Sequence, residues 1–187
     1  DYTEEMITQY RDLFDDIEIE KYDDKKDDEV KPNIIVVMME SQFELDRFND
    51  VNIDMVLDPV TKENKVATLI SPRYGGGTAS VEFEALTGLS VSFFPGDLVP
   101  YTTFFNSNKR SLPSLAQEFD DNGYTTVAVH PNTGSFYNRD TVYDCMGFDE
   151  FISGDSFDFS KDNCTADGFM KNSVLADKII EKAKESE

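Results

Sequence analysis

Six consecutive apolar residues, Ile34-Ile35-Val36-Val37-Met38-Met39, run without interruption into Glu40. An amphipathic helix would place polar residues every three or four positions, and a half-exposed strand would alternate. An unbroken run rich in β-branched residues therefore predicts a strand buried on both faces of a parallel sheet. The downstream sequence supplies what such a strand needs around it. From Ser111, a capping residue, Leu112, Leu115, Ala116 and Phe119 follow helical spacing until Gly123 stops them, and Thr125-Thr126-Val127-Ala128-Val129 reads as a second strand ending at His130. Val174, Leu175, Ile179 and Ala183 form a last helical pattern, with Lys178, Lys182 and Lys184 toward its C-terminal end, where they complement the helix dipole. Strands alternating with helices indicate an α/β fold.

A chain of 187 residues with 39% apolar and 12% aromatic residues can build one domain with a substantial core. Residues 1–31 stand apart: thirteen Asp or Glu against five Lys or Arg, densest from Asp23 to Glu29, read as an exposed acidic lead-in. Within it Met6, Tyr10, Leu13 and Phe14 recur at the spacing of a short helix. The domain proper is expected over 32–187. The net charge of -21 opposes a nucleic-acid partner, because like charges repel the phosphate backbone. Cys145 and Cys164 fit no zinc spacing and make no disulfide framework, so both are read as free thiols.

Ligands of open α/β sheets gather where strands end, which singles out Glu40 and His130. Gly75-Gly76-Gly77-Thr78 precedes Ala79 to Gly88, in which Val81, Ala85 and Leu86 fit one helix face, so Thr78 falls at a helix N-terminus. Unpaired backbone N–H groups and flexible glycines there suit a phosphate or sulfate, although Thr78 could equally be an ordinary cap after a turn. A Walker phosphate loop is excluded, since no lysine precedes Thr78. A threonine hydroxyl becomes a nucleophile only beside a base or a divalent cation, to which Glu40 could be a ligand. The third cluster, His130-Pro131-Asn132-Thr133-Gly134-Ser135-Phe136-Tyr137-Asn138-Arg139-Asp140, puts a His, an aromatic and an Arg after a strand. Arg suits phosphate geometry, and an Arg139 paired with Asp140 or Asp144 is the structural alternative.

Taken in order, Lys31 to Ser41, Gly75 to Phe83 with Leu86-Thr87-Gly88, and His130 to Tyr143 with Gly147-Phe148-Asp149-Glu150-Phe151 resemble the lipoteichoic acid synthase branch of the alkaline phosphatase and sulfatase superfamily. The resemblance implies that superfamily's sandwich with a mostly parallel central sheet, of which this chain would hold the N-terminal half. It implies Glu40 as a metal ligand, and Thr78 as both nucleophile and metal ligand. His130, Arg139 and Tyr137 would touch the phosphoglycerol substrate, with Tyr137 standing where the family often has Trp. The implied cofactor is one Mn²⁺ or Mg²⁺ ion. The implied reaction moves glycerophosphate from phosphatidylglycerol to a growing glycerophosphate polymer through a phospho-Thr intermediate. The implied setting is the extracellular face of the membrane, with N-terminal membrane helices in the parent protein.

The family completes its metal site with an Asp-His pair and a further His, whereas this sequence has one His and no Asp-His dipeptide. The chain also stops after a helix, where the fold would bring its next strand. The expectation is a truncated domain, inactive as it stands. The alternatives are a phosphodiesterase of the same fold acting on another envelope ester, a transferase with another glycan as acceptor, and a non-catalytic domain that binds anionic polymer. A sulfatase proper would need Cys or Ser two residues before a Pro, with Arg two residues after it. Ser71-Pro72-Arg73 has those residue types at the wrong spacing.

Overall fold

The computed structural model describes residues 31–39, 70–73, 76–96, 98–105 and 112–185. The lead-in helix, Glu40, Gly75 and Ser111 lie outside them. The chain parts between Ile34 and Ile35, and every element below belongs to the second part.

In order these are α1 (Thr78–Thr87), a 3-10 turn (Val91–Phe93), α2 (Pro100–Phe104), α3 (Leu115–Asp121), β1 (Val127–Val129), a 3-10 turn (Phe136–Asn138), α4 (Arg139–Cys145), β2 (Glu150–Ile152), a 3-10 turn (Gly154–Ser156) and α5 (Asn172–Glu185). β1 and β2 are parallel, with Val127 opposite Glu150, Ala128 opposite Phe151 and Val129 opposite Ile152. Parallel neighbours require a crossover, and α4 lies within it, so this stretch is a β-α-β unit. Asp149 fixes the register at its start. Its Oδ2 accepts from the backbone N–H of Thr126 at 2.7 Å and from Thr126 Oγ1 at 2.9 Å.

The expected helix after Ser111 begins later. Ser114 is its cap, accepting from the N–H of Gln117 at 3.1 Å, because Pro113 one residue before the cap disfavours an earlier start. The second strand is also shorter than expected, keeping Val127–Val129 of the predicted run from Thr125.

The first apolar run departs from its reading. Residues 34–39 form no strand, and Val36 is 74% exposed. An all-apolar strand is stable only with paired edges and two covered faces. Among the described residues the sheet has two strands, and the run belongs to neither.

The core joins α1, α2 and α4: Ala79, Phe83, Val91, Tyr101, Phe105, Val142, Tyr143, Cys145 and Met146 are all buried. Tyr143 sits at its centre, edge-on to Tyr101 at 6.2 Å and to Phe151 at 4.8 Å. The buried face of α1 is not the one expected. Ala79, Ser80, Glu82 and Phe83 point inward while Ala85 is exposed, so a carboxylate and a hydroxyl share the core-facing stripe. Both cysteines are free thiols.

The loops that follow β1 and β2 meet at Gly154. A Cβ there would lie 2.5 Å from the Pro131 carbonyl oxygen and 2.8 Å from the Asn132 carbonyl carbon, both backbone atoms that cannot rotate away. Gly154→Ala is therefore expected to destabilise the domain by about 1–3 kcal/mol through overpacking, read as a lower urea midpoint with an unchanged slope. An unchanged midpoint would contradict this close approach.

Candidate active site

Thr78 opens α1 and is half-buried. The turn before it is left-handed at two positions, Gly76 (φ 117°) and Gly77 (φ 95°). A side chain at Gly77 would be strained by that φ, and its Cβ would press on Arg73 Cγ at 3.3 Å. Arg73 is itself tied down, its Nη2 donating to the Leu98 carbonyl at 2.9 Å. Gly77, not Thr78, is the N-cap, and having no side chain it makes no side-chain cap bond, while its carbonyl accepts from the Ser80 N–H at 2.9 Å.

His130 follows β1 directly, and its own N–H donates to the Ile152 carbonyl at 3.0 Å, extending the sheet pairing by one residue. The imidazole is oriented by its own loop: Nδ1 accepts from the backbone N–H of Asn132 at 3.1 Å. An accepting Nδ1 assigns the proton of the neutral ring to Nε2, which makes Nε2 the donor. Across the loop, Asp155 Oδ2 accepts from the Gly134 N–H at 2.9 Å and from Ser153 Oγ at 3.0 Å. These bonds hold the Asp155 carboxyl below its ordinary pKa, the Gly134 bond foremost.

Tyr137 and Asn138 both adopt left-handed conformations, φ 59° and 60°. This is uncommon for non-glycine residues, most of all for a bulky one, and costs on the order of 1–3 kcal/mol per residue, so it persists only where the surroundings impose it. Here they do. Asn138 Nδ2 donates to the Phe105 carbonyl at 3.1 Å, and Arg139 Nη1 donates to the Phe136 carbonyl at 3.1 Å. The Arg139 guanidinium lies 5.4 Å from the Tyr137 ring centre and 5.7 Å from that of Phe136, within cation–π range.

Arg139 is 1% exposed. Neither Asp140 nor Asp144 is its partner. The partner is Glu82, which accepts from Nε at 3.0 Å through Oε2 and from Nη2 at 2.7 Å through Oε1, a two-point fork between α1 and α4. The Tyr143 hydroxyl adds a third bond, donating to Oε2 at 3.0 Å. Sequence reasoning passed over Glu82. Its signal was its place four residues after Thr78, on the same side of the helix one turn further on. Burial, with Glu82 beside it, pushes the Tyr143 hydroxyl well above its ordinary pKa, and burial does the same to Tyr101.

The structure thus brings His130, Tyr137 and Arg139 onto one loop and ties Arg139 to the helix that begins at Thr78. Among the described residues no three His, Cys, Asp or Glu side chains group as a metal site. None of the described helices is long and apolar enough to cross a membrane.

Residues 32–187 match the family described as Sulfatase. The chain belongs to the sulfatase family. Its relatives place it near the lipoteichoic acid synthases of that superfamily. A protein of Rhizobium meliloti (strain 1021) named for cyclic beta-1,2-glucan modification is 37% identical over 84% of this chain and 24% of its own length. Lipoteichoic acid synthase 1 of Bacillus subtilis (strain 168) is 28% identical over 42% of this chain and 12% of its own length. The crystal structure of the lipoteichoic acid synthase LtaP from Listeria monocytogenes aligns with a TM-score of 0.50 and 27% identity, covering 62% of this chain and 27% of that one. The sulfatase-family chain thus spans 24% of the rhizobial relative, 27% of the Listeria chain and 12% of the Bacillus one. Superfamily members generally use a divalent metal.

Two outcomes follow from the buried fork. Glu82→Ala would leave the Arg139 charge buried without its counter-ion, and the expected cost is about 3–5 kcal/mol in chemical denaturation. A loss under about 1 kcal/mol would mean that the pair does not form. Tyr143 provides the pH test. Its folded pKa lies above the ordinary tyrosine value, so the folded state keeps a proton that the unfolded chain gives up. That contribution is complete below about pH 10 and declines as pH rises above it. Ultraviolet titration should show a class of tyrosines that ionises only as the protein unfolds; free ionisation of every tyrosine near pH 10 would contradict the burial.

Proposed function

We propose that the full-length protein transfers glycerophosphate from phosphatidylglycerol to an envelope polymer at the outer face of the membrane, with Thr78 as nucleophile. The kinship with lipoteichoic acid synthases supports this reading, together with a Thr at the start of a helix behind two left-handed glycines. Thr78, held at the mouth of α1, attacks the phosphorus. The P–O bond to diacylglycerol breaks, diacylglycerol leaves with a proton, and the glycerophosphoryl group stays on Thr78 Oγ1. The terminal hydroxyl of the acceptor then attacks that phosphorus, giving up its proton as Thr78 regains one.

The chain's other residues bind and orient. The first-turn N–H groups of α1 and its dipole favour phosphate charge beside Thr78. His130 donates through Nε2 to a phosphoryl oxygen, the tautomer its Nδ1 contact selects. Tyr137 packs against the glycerol. Arg139, buried and committed to Glu82 and the Phe136 carbonyl, holds the turn that carries Tyr137 and contributes its positive charge toward the phosphate from within the core. Glu40 and Thr78 offer oxygen donors only, the chemistry that suits Mn²⁺ or Mg²⁺. When bound, such an ion lowers the pKa of a hydroxyl and offsets phosphate charge.

A second reading concerns the acceptor alone. The relative with the longest alignment reported above is named for modifying a cyclic glucan, so a glucan hydroxyl is the other candidate to receive the group.

The full-length protein incubated with Mn²⁺ and phosphatidylglycerol is expected to gain one glycerophosphate on Thr78, read by intact mass and peptide mapping. Thr78→Ala should abolish the adduct and turnover while costing at most about 1 kcal/mol of stability, as for a lost helix-start hydroxyl. An adduct elsewhere, or turnover surviving in Thr78→Ala, would sink the proposal. Product analysis with glycerophosphate polymer against cyclic glucan as acceptor separates the two readings.

A further inference from the structure

Of the two carboxylates on α1, Glu82 and Glu84, the proposed chemistry uses neither, and Glu82 is the buried one, which requires an explanation. A buried ion pair is weak as a source of stability, because desolvating two charges offsets most of their attraction. What the pair supplies here is geometry. Its two bonds, 3.0 Å from Nε and 2.7 Å from Nη2, engage both carboxylate oxygens, and a planar fork held at two points cannot rotate. The Tyr143 bond at 3.0 Å adds a third point of attachment, on the same Oε2 that accepts from Nε. The oriented guanidinium then braces the strained Tyr137–Asn138 turn through the Phe136 carbonyl and the two rings. The carboxylate itself stands four residues from Thr78 on one helix, so its offset from the helix start is set by helical geometry.

We propose that Glu82 is a positioning residue, which sets the distance and direction between Thr78 and the Tyr137–Arg139 turn by fixing the Arg139 guanidinium from the Thr78 helix. This inference rests on Thr78 being the nucleophile. Glu82 does not touch the substrate. It acts through Arg139, and Tyr143 acts through Glu82.

The test uses the full-length protein, Mn²⁺ and phosphatidylglycerol, with Glu82→Gln and Tyr143→Phe. For each variant the initial rate of adduct formation on Thr78 is divided by the folded fraction, taken from thermal melting followed by circular dichroism. Glu82→Gln keeps the side chain's size but sets an amide N–H₂ against the donors of Arg139. The expected loss per folded molecule is about 10- to 100-fold, the scale of a small misplacement of reacting groups. Tyr143→Phe removes one bond from the carboxylate and should lose rate in the same direction by a smaller factor. A merely structural pair would lower the melting temperature and leave the rate per folded molecule at the wild-type value in both variants, which overturns the inference. If Glu82→Gln yields no folded protein, Tyr143→Phe decides in the same way. Failure of the wild type to form the adduct overturns this inference together with the reading beneath it, whereas a wild-type adduct with unaffected variants overturns this inference alone.

Discussion

The buried fork between Glu82 and Arg139 is the interaction on which the arrangement of the described site depends. It joins side chains 57 positions apart and both almost fully withdrawn from water. An unpaired charge at either place would cost several kcal/mol, so α1 and α4 are stable in this packing only when both charges meet. Around that fork the core is aromatic and apolar, with Tyr143 belonging to both: its ring packs on Tyr101 and Phe151 while its hydroxyl reaches Glu82. One residue thereby couples the packing of the domain to the orientation of the charged pair.

Departures from regular backbone geometry fall on either side of this fork. Before α1, two glycines take left-handed conformations that let Thr78 begin the helix without a side-chain cap. Before α4, Tyr137 and Asn138 take similar conformations at a cost that no glycine reduces. Rigid helices carry both features, which suits a site whose parts must hold still relative to one another. The resemblance to lipoteichoic acid synthases gives these two places meaning, since the proposed nucleophile and the proposed substrate contacts fall on them.

Much of this was legible in the residues. The helix from Thr78 to the glycine at 88, the short strand ending before His130, the closing helix and the α/β class follow from periodicity and punctuation, which are local. The motifs at Lys31 to Ser41, Gly75 to Phe83 and His130 to Tyr143, read in order, were enough to indicate the family. Asp149, noticed only as part of a motif, turned out to lock the register of the two strands. Less legible was which face of α1 turns inward. Val81 and Ala85 looked like its apolar stripe, yet Glu82 is the residue that is buried, because a charge can be buried when its partner arrives from a distant helix. The apolar run at 34–39 shows the converse. Its composition describes a two-faced buried strand, and that state requires neighbours that composition cannot supply.

By itself the sequence determined the class of fold, the family and the residue types available for phosphate chemistry, since each depends on local pattern or on ordered motifs. Only the tertiary structure decided that Arg139 pairs with Glu82 and not with its near neighbours in sequence, that the His130 ring presents Nε2 as its donor, and that a strained turn is braced by a guanidinium. The first is a consequence of long-range contact, where desolvation selects a partner by position in space and sequence spacing carries no information about it, while the other two follow from how the loop after β1 folds on itself.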